Sequence, residues 1–186
     1  MIEYLAPNGR AWNPVTGCLH TQAECPTASS CWARGMSGRF KQVCGGDFSP
    51  RLHPNRIDLP LHWRKPRRVA VGFMGDMCGN WFMADMPDDY GRWHSLVQRV
   101  LFIVEQCPQH SFLFLTKAPQ NLARFSPWPD NAWLGTTITG AEPPERQREM
   151  MAALGRAEGG HRWVSLEPLL GPVVADVFAA EWIVIG

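Results

Sequence analysis

From residue 60 onward, continuous apolar runs alternate with amphipathic stretches. Arg68 to Phe73 (RVAVGF) is a short β-branched run followed by Gly75, and it predicts a strand buried on both faces. Ser111 to Thr116 (SFLFLT), Trp133 to Ile138 (WLGTTI), Arg162 to Leu166 (RWVSL) and Trp182 to Ile185 (WIVI) read the same way. A short strand near Ala11 to Val15 makes about six. The intervening segments are helical. Pro87-Asp88-Asp89 opens one helix, with Pro early and acids in the first turn. Trp93, Leu96, Val97, Val100, Leu101 and Val104 fall on one of its faces, and Gln106-Cys107-Pro108 ends it. A shorter helix is predicted over Gln120 to Phe125. Another starts at Pro143-Pro144-Glu145 and buries Met150, Met151 and Leu154. Strands without polar alternation, separated by helices, mean parallel βαβ units. The expected organisation is one domain over 1–186, with 1–60 irregular and 61–186 built of βα units.

In such folds the chemistry gathers at the C-terminal ends of the strands. The residues there are Thr16-Gly17-Cys18, Gly75-Asp76-Met77-Cys78, Thr116-Lys117, the pair Thr136 and Thr137, and Glu167-Pro168. Loop polarity or helix capping accounts for any one of them. Five together mark one rim as the candidate site. Asp76, Lys117 and Glu167 should converge there. An ammonium and two carboxylates in one place need each other or a ligand, and a zwitterion would match them.

Composition narrows the classes. A chain of 186 residues suits one domain, and 45% hydrophobic against 19% charged residues excludes disorder. Lys plus Arg is 18 and Asp plus Glu 17, a net charge of +1 that argues against an obligate polyanion binder. No apolar run approaches the ~18 residues of a membrane span. The first residues show neither a basic n-region nor an apolar h-region, so the expected setting is cytoplasmic, with no membrane partner. Trp63-Arg64-Lys65-Pro66-Arg67-Arg68 sets four cations beside an aromatic ring. It is either a solvated strand entrance or a contact for nucleic acid through Arg64, Lys65, Arg67 and Arg68.

Six cysteines in a cytosolic chain do not form a disulfide framework. Cys18, Cys25 and Cys31 are spaced C-x6-C-x5-C in a loop bearing Gly and Pro, and Cys44 follows after 12 intervening residues. Thiolates suit zinc or iron–sulfur clusters. Four would close a structural zinc site, whereas three leave a position open for substrate. Free thiols in a core are the bland alternative. His20 lies in the same loop and reads as solvated. Cys78 and Cys107 read as core.

The stretch Trp12-Asn13-Pro14-Val15-Thr16-Gly17-Cys18 resembles the opening of a phage and bacterial family with a three-cysteine motif, radical-SAM-like and largely without assigned function. Further matches run in order along the chain. They include Leu52-His53-Pro54, Pro60-Leu61-His62-Trp63, Lys65-Pro66-Arg67, Gly75-Asp76, Cys107-Pro108-Gln109-His110 and Leu115-Thr116-Lys117-Ala118-Pro119. Trp133-Leu134-Gly135 and the long Val164-Ser165-Leu166-Glu167-Pro168-Leu169-Leu170-Gly171-Pro172 complete them. The resemblance implies a partial, six-strand TIM-type barrel with a Cys-rich N-terminal loop. It implies a [4Fe–4S] cluster on Cys18, Cys25 and Cys31 with S-adenosylmethionine (SAM) on the open iron, an external electron donor, and a radical acting on an unknown substrate. By the same resemblance Gly75 and Asp76 sit where the methionine part of the cofactor is contacted. From the strand ends, Thr136 and Thr137 are further candidate cofactor contacts, and Lys117 and Glu167 are the candidate catalytic residues. Two features depart from the family. Its last two cysteines are usually two residues apart, where this chain has five between Cys25 and Cys31. Its members also continue past a position equivalent to residue 186, so the resemblance implies a truncated chain. Two alternatives stand beside the enzyme: a non-catalytic protein with structural zinc, and a nucleic-acid-binding or processing module of a mobile element.

Overall fold

Alternate residues of each central strand face opposite apolar layers, and this alternation builds the molecule. A computed structural model describes residues 8–41, 47–80 and 97–186. Its strands are β1 (Arg10–Trp12), β2 (Val15–Thr16), β3 (Arg51–Leu52), β4 (Arg68–Val71), β5 (Ser111–Thr116), β6 (Trp128–Thr137), β7 (Gly159–Leu166) and β8 (Trp182–Ile185). Six of them form one parallel sheet in the order β1-β4-β5-β6-β7-β8. The sheet is curled into a half-barrel. Side chains from strands that are not neighbours meet across its hollow. Phe73, just past β4, stacks on Trp163 of β7 at 6.5 Å between centroids, and Arg68 of β4 lies 5.8 Å from the Trp182 ring of β8.

The outer face carries Val69, Val71, Phe112, Phe114, Leu134, Val164 and Leu166. Over it pack a helix at 97–105 (here α2, after α1 at Trp32–Arg39) and α3 (Pro144–Gly155). Val97, Val100, Leu101 and Val104 of α2 and Met150 and Leu154 of α3 are buried there, as their spacing predicts. The predicted start of α2 at Pro87, and its Trp93 and Leu96, lie outside the described residues. Cys78 and Cys107 belong to this core. The inner face is aromatic: Ala70, Leu113 and Trp163 with Phe73, Trp133 and Trp182. Gly135 on β6 makes room for it. A Cβ there would stand 2.3 Å from Trp163 Nε1, which donates instead to the carbonyls of Phe114 and Trp133.

Within 1–60 the described residues include short regular elements, β1, the antiparallel β2–β3 pair and α1. Two expectations change. The single strand expected near Ala11 to Val15 is two, broken at Asn13, whose side chain accepts from Met74 N–H. The helix over Gln120 to Phe125 is a 3-10 turn, Pro119–Phe125. Among the described residues, no helix is long and apolar enough to cross a membrane.

His110 gives the fold a pH dependence. It is buried against the Trp63 and Phe112 rings. Burial holds its pKa below the usual 6.5, and nearby Arg67 adds to this, while the neighbouring backbone of Pro60 and Trp63 works against it. As pH falls below 6.5 the unfolded chain binds that proton first. Stability is therefore full above 6.5 and falls below it by up to about 1.4 kcal/mol per pH unit for this one group. His53, lowered chiefly by burial, acts in the same direction. Urea midpoints between pH 7.5 and 5.5 should show the slope, and His110→Gln should flatten it. An unchanged slope in that variant would place the titration elsewhere.

Candidate functional site

The cysteine loop reaches the sheet through two glycines. Gly17 N–H donates to Met74 O, and Gly17 bridges Gly75 as a one-residue extension of the β1–β4 edge. A Cβ on Gly75 would stand 2.4 Å from Gly17 O. One on Gly17, whose φ is +91°, would stand 2.2 Å from Ser49 O. This contact sets Cys18 at the C-terminal end of β4. From there the loop turns through Cys25, and a 3-10 turn at Ala28–Ser30 delivers Cys31 to the N-cap of α1. The five-residue spacer is thus an ordered turn.

The loop covers a cavity of about 540 Å³. On the loop side it is lined by Cys18, His20, Cys25, Cys31 and Trp32, with Phe48. Opposite stand the strand ends: Gly75 and Asp76 after β4, Lys117 after β5, Thr137 of β6, and Ser165 and Glu167 at the end of β7. Phe73 and Leu115 form apolar parts of the lining. The structure therefore gathers Cys18, Cys25, Cys31, Gly75, Asp76, Lys117, Thr137 and Glu167 around one space. Thr136 stands apart from it. Successive strand residues face opposite ways, and its hydroxyl donates to Thr116 O at 2.9 Å.

Asp76 is buried and fully engaged. Its Oδ2 accepts from His20 Nε2 at 2.7 Å, Thr116 Oγ1 at 2.8 Å and Lys117 N–H at 3.0 Å, and its Oδ1 from Cys78 N–H at 2.9 Å. The convergence of three charges expected at this rim takes a different form. Asp76 serves the fold, Glu167 is exposed and Lys117 is half-buried. Among the described residues, Lys117 forms no ion pair with either carboxylate, so its ammonium and Glu167 face the cavity as separate groups. Between them Thr137 and Ser165 are register partners on β6 and β7, and both line the cavity. The rim thus runs cation, hydroxyl, hydroxyl, carboxylate across three strands.

Sequence reasoning missed His20, which is buried rather than solvated. It also missed Ser165 and a second tie between loop and sheet. Glu24 of the loop accepts from Asn80 Nδ2, and Asn80 in turn accepts from Gln120 and Asn121. Burial opposes ionisation of Glu24, but hydrogen bonds from Thr21 and Asn80 outweigh it and hold the pKa below its usual value.

Burial pushes the Cys18 thiol up to about 12. The His20 N–H, 3.5 Å from Sγ, works against this, while Asp76, Cys25 and Cys31 add to it. Among the described residues, no three His, Cys, Asp or Glu side chains close on a single point where one metal ion would sit. Cys44 lies outside the described residues.

The cations Arg64, Lys65, Arg67 and Arg68 precede or open β4, at the strand N-termini. They stand at the end of the sheet away from the cavity. No curated protein and no solved structure shows a significant match to the chain. Residues 2–186 match the family described as "Protein of unknown function (DUF5131)", and the chain belongs to that family.

Proposed function

We propose that this protein is a radical-SAM-like enzyme holding a [4Fe–4S] cluster on Cys18, Cys25 and Cys31. One observation carries the reading: three thiols of a single loop line one cavity at the C-terminal ends of a curled parallel sheet. On this reading the half-barrel is a six-strand partial barrel of the TIM type, working in the reducing cytoplasm with an external electron donor.

The chemistry of the donors suits the cluster: thiolates are soft ligands, and three lining one cavity would each bind a different iron and leave one iron open. When bound, such a cluster supplies the electron that breaks a carbon–sulfur bond of SAM. The chain's own residues do the rest. The Gly17–Gly75 bridge and the His20–Asp76 pair hold the loop in place. The His20 N–H points at Cys18 Sγ. Lys117 is placed to meet a carboxylate, Glu167 an ammonium, and Thr137 and Ser165 the polar groups between. Phe73 and Leu115 offer apolar contact.

Anaerobic reconstitution followed by iron and sulfide analysis tests the reading, together with product analysis for 5′-deoxyadenosine after reduction with SAM. About four irons and SAM cleavage support it. Stoichiometric zinc in a colourless protein, with no iron uptake, would replace it with the structural-zinc alternative. Lys117→Met tests the rim separately. Since Lys117 carries no ion pair with Asp76 or Glu167, its loss should leave the melting temperature within about 2 °C and weaken SAM binding tenfold or more. A large fall in melting temperature with unchanged affinity would make Lys117 a structural residue.

A further inference from the structure

At the end of the half-barrel away from the cysteines, cations and aromatic rings share one rim. Arg68 opens β4, Arg10 opens the neighbouring β1, and Arg64 and Lys65 lie in the connection just before β4. All four are exposed. The inner face at this end presents indoles. Trp133 stacks on His161 with centroids 4.5 Å apart and planes at 22°, and it meets Trp182 edge-on at 5.8 Å. The Arg68 guanidinium lies 5.8 Å from the Trp182 ring centroid, which joins the cations to the rings. Trp133 and Trp182 are only half-buried, unlike Trp163 behind them. Acids are also present. Glu181 is bound to His161 Nδ1 at 2.7 Å and to Arg162 N–H at 3.0 Å, so its charge is met locally, while Asp130 near the start of β6 and Glu158 just before β7 are exposed. Among the described residues, neither Arg64 nor Lys65 forms an ion pair.

We propose that this rim binds single-stranded nucleic acid, with phosphates on Arg64, Lys65 and Arg68 and a base on the Trp133 and Trp182 rings. The chain's net charge of +1 averages over the whole surface, whereas residues 64–68 place four cations in five positions. Cations alone attract any polyanion. Partly open indoles beside them select a partner with flat faces to stack, and single strands expose theirs while duplexes hide them. An acidic peptide would use the cations and leave the rings idle. The site is separate from the cysteine cavity and stands whether or not a cluster is bound there.

The test is fluorescence anisotropy with a labelled oligothymidylate of about 12 nucleotides and polyglutamate of equal length as the second probe. The oligonucleotide should bind at low salt and quench tryptophan fluorescence. Three phosphate contacts give a slope of log K against log salt near −2. The double variant Arg64→Gln, Lys65→Gln changes only exposed residues and should make the slope shallower by about 1.4. Trp133→Ala should weaken binding about tenfold or more at unchanged slope, while Trp133→Phe retains most of it. No binding at low salt overturns the proposal. So does equal binding of polyglutamate with no effect of either Trp133 variant, which would assign the rim to acidic protein instead.

Discussion

Asp76→Ala should destabilise the protein by at least about 3 kcal/mol. The carboxylate is the one acceptor shared by His20, Thr116 and two backbone N–H groups, all drawn together at the end of β4. Removing it leaves several buried donors without a partner, each costing about 1–3 kcal/mol. For a chain of this size that is a fall in melting temperature of roughly 6–12 °C or more. Asp76→Asn keeps an acceptor oxygen but turns an N–H₂ toward other donors, so it should fall between. The cysteine loop should loosen first, because His20 ties it to the sheet. Faster amide exchange at 17–31 than in β5 would show this. A loss below about 1 kcal/mol would mean that Asp76 does not hold the fold and that its carboxylate is spent on a ligand.

The parts of this arrangement legible in the sequence are those written as local runs. The central strands declare themselves because both faces are covered, so apolar residues continue without a break. α3 is equally plain, with Pro144 at its start, Glu145 in its first turn and Met150 and Leu154 on one face. β6 begins at Trp128, five residues before its apolar run, because Pro129, Asp130 and Asn131 mask it and the register shifts between Trp128 and Trp133. The β2–β3 pair is two residues long on each side, too short for any period to show.

The site was legible as a list of strand ends and not as a set of roles. Convergence follows from topology alone, since parallel strands present their C-termini at one edge. Which charge serves the fold and which faces the cavity is settled by partners distant in sequence. His20 and Asp76 are 56 positions apart. A lone loop histidine carries no local mark of burial, and an aspartate at a strand end looks the same whether it waits for a ligand or for four protein donors. Thr136 and Thr137 are adjacent and alike. Only the register of β6 against β7, which pairs Thr137 with Ser165, tells which of them faces the cavity.

Replacing Cys18, Cys25 or Cys31 by Ala should each abolish iron uptake, from about four irons per chain to nearly none, since three thiolates are the fewest that hold a cluster with one open iron. Cys107→Ala is the matched control. Cys107 is buried in the helix-side core, so the variant costs stability but should load fully. Cys25→Ala is the sharpest of the set. Cys25 is buried while Cys18 and Cys31 are partly open, and it precedes the 3-10 turn that spaces it from Cys31. If the spacer has removed Cys25 from ligation, that variant retains iron and the three-thiolate assignment fails. Cys44→Ala divides the two metal readings: no loss for the three-thiolate cluster, complete loss for a four-thiolate zinc site. Uptake has a second signature. Burial raises the Cys18 pKa to about 12, so the metal-free thiol is protonated at neutral pH and must release its proton on ligation. Loading should therefore acidify a weakly buffered solution and weaken as pH falls. Cys18→Ala should remove that proton release along with the iron, and Cys107→Ala should leave both in place.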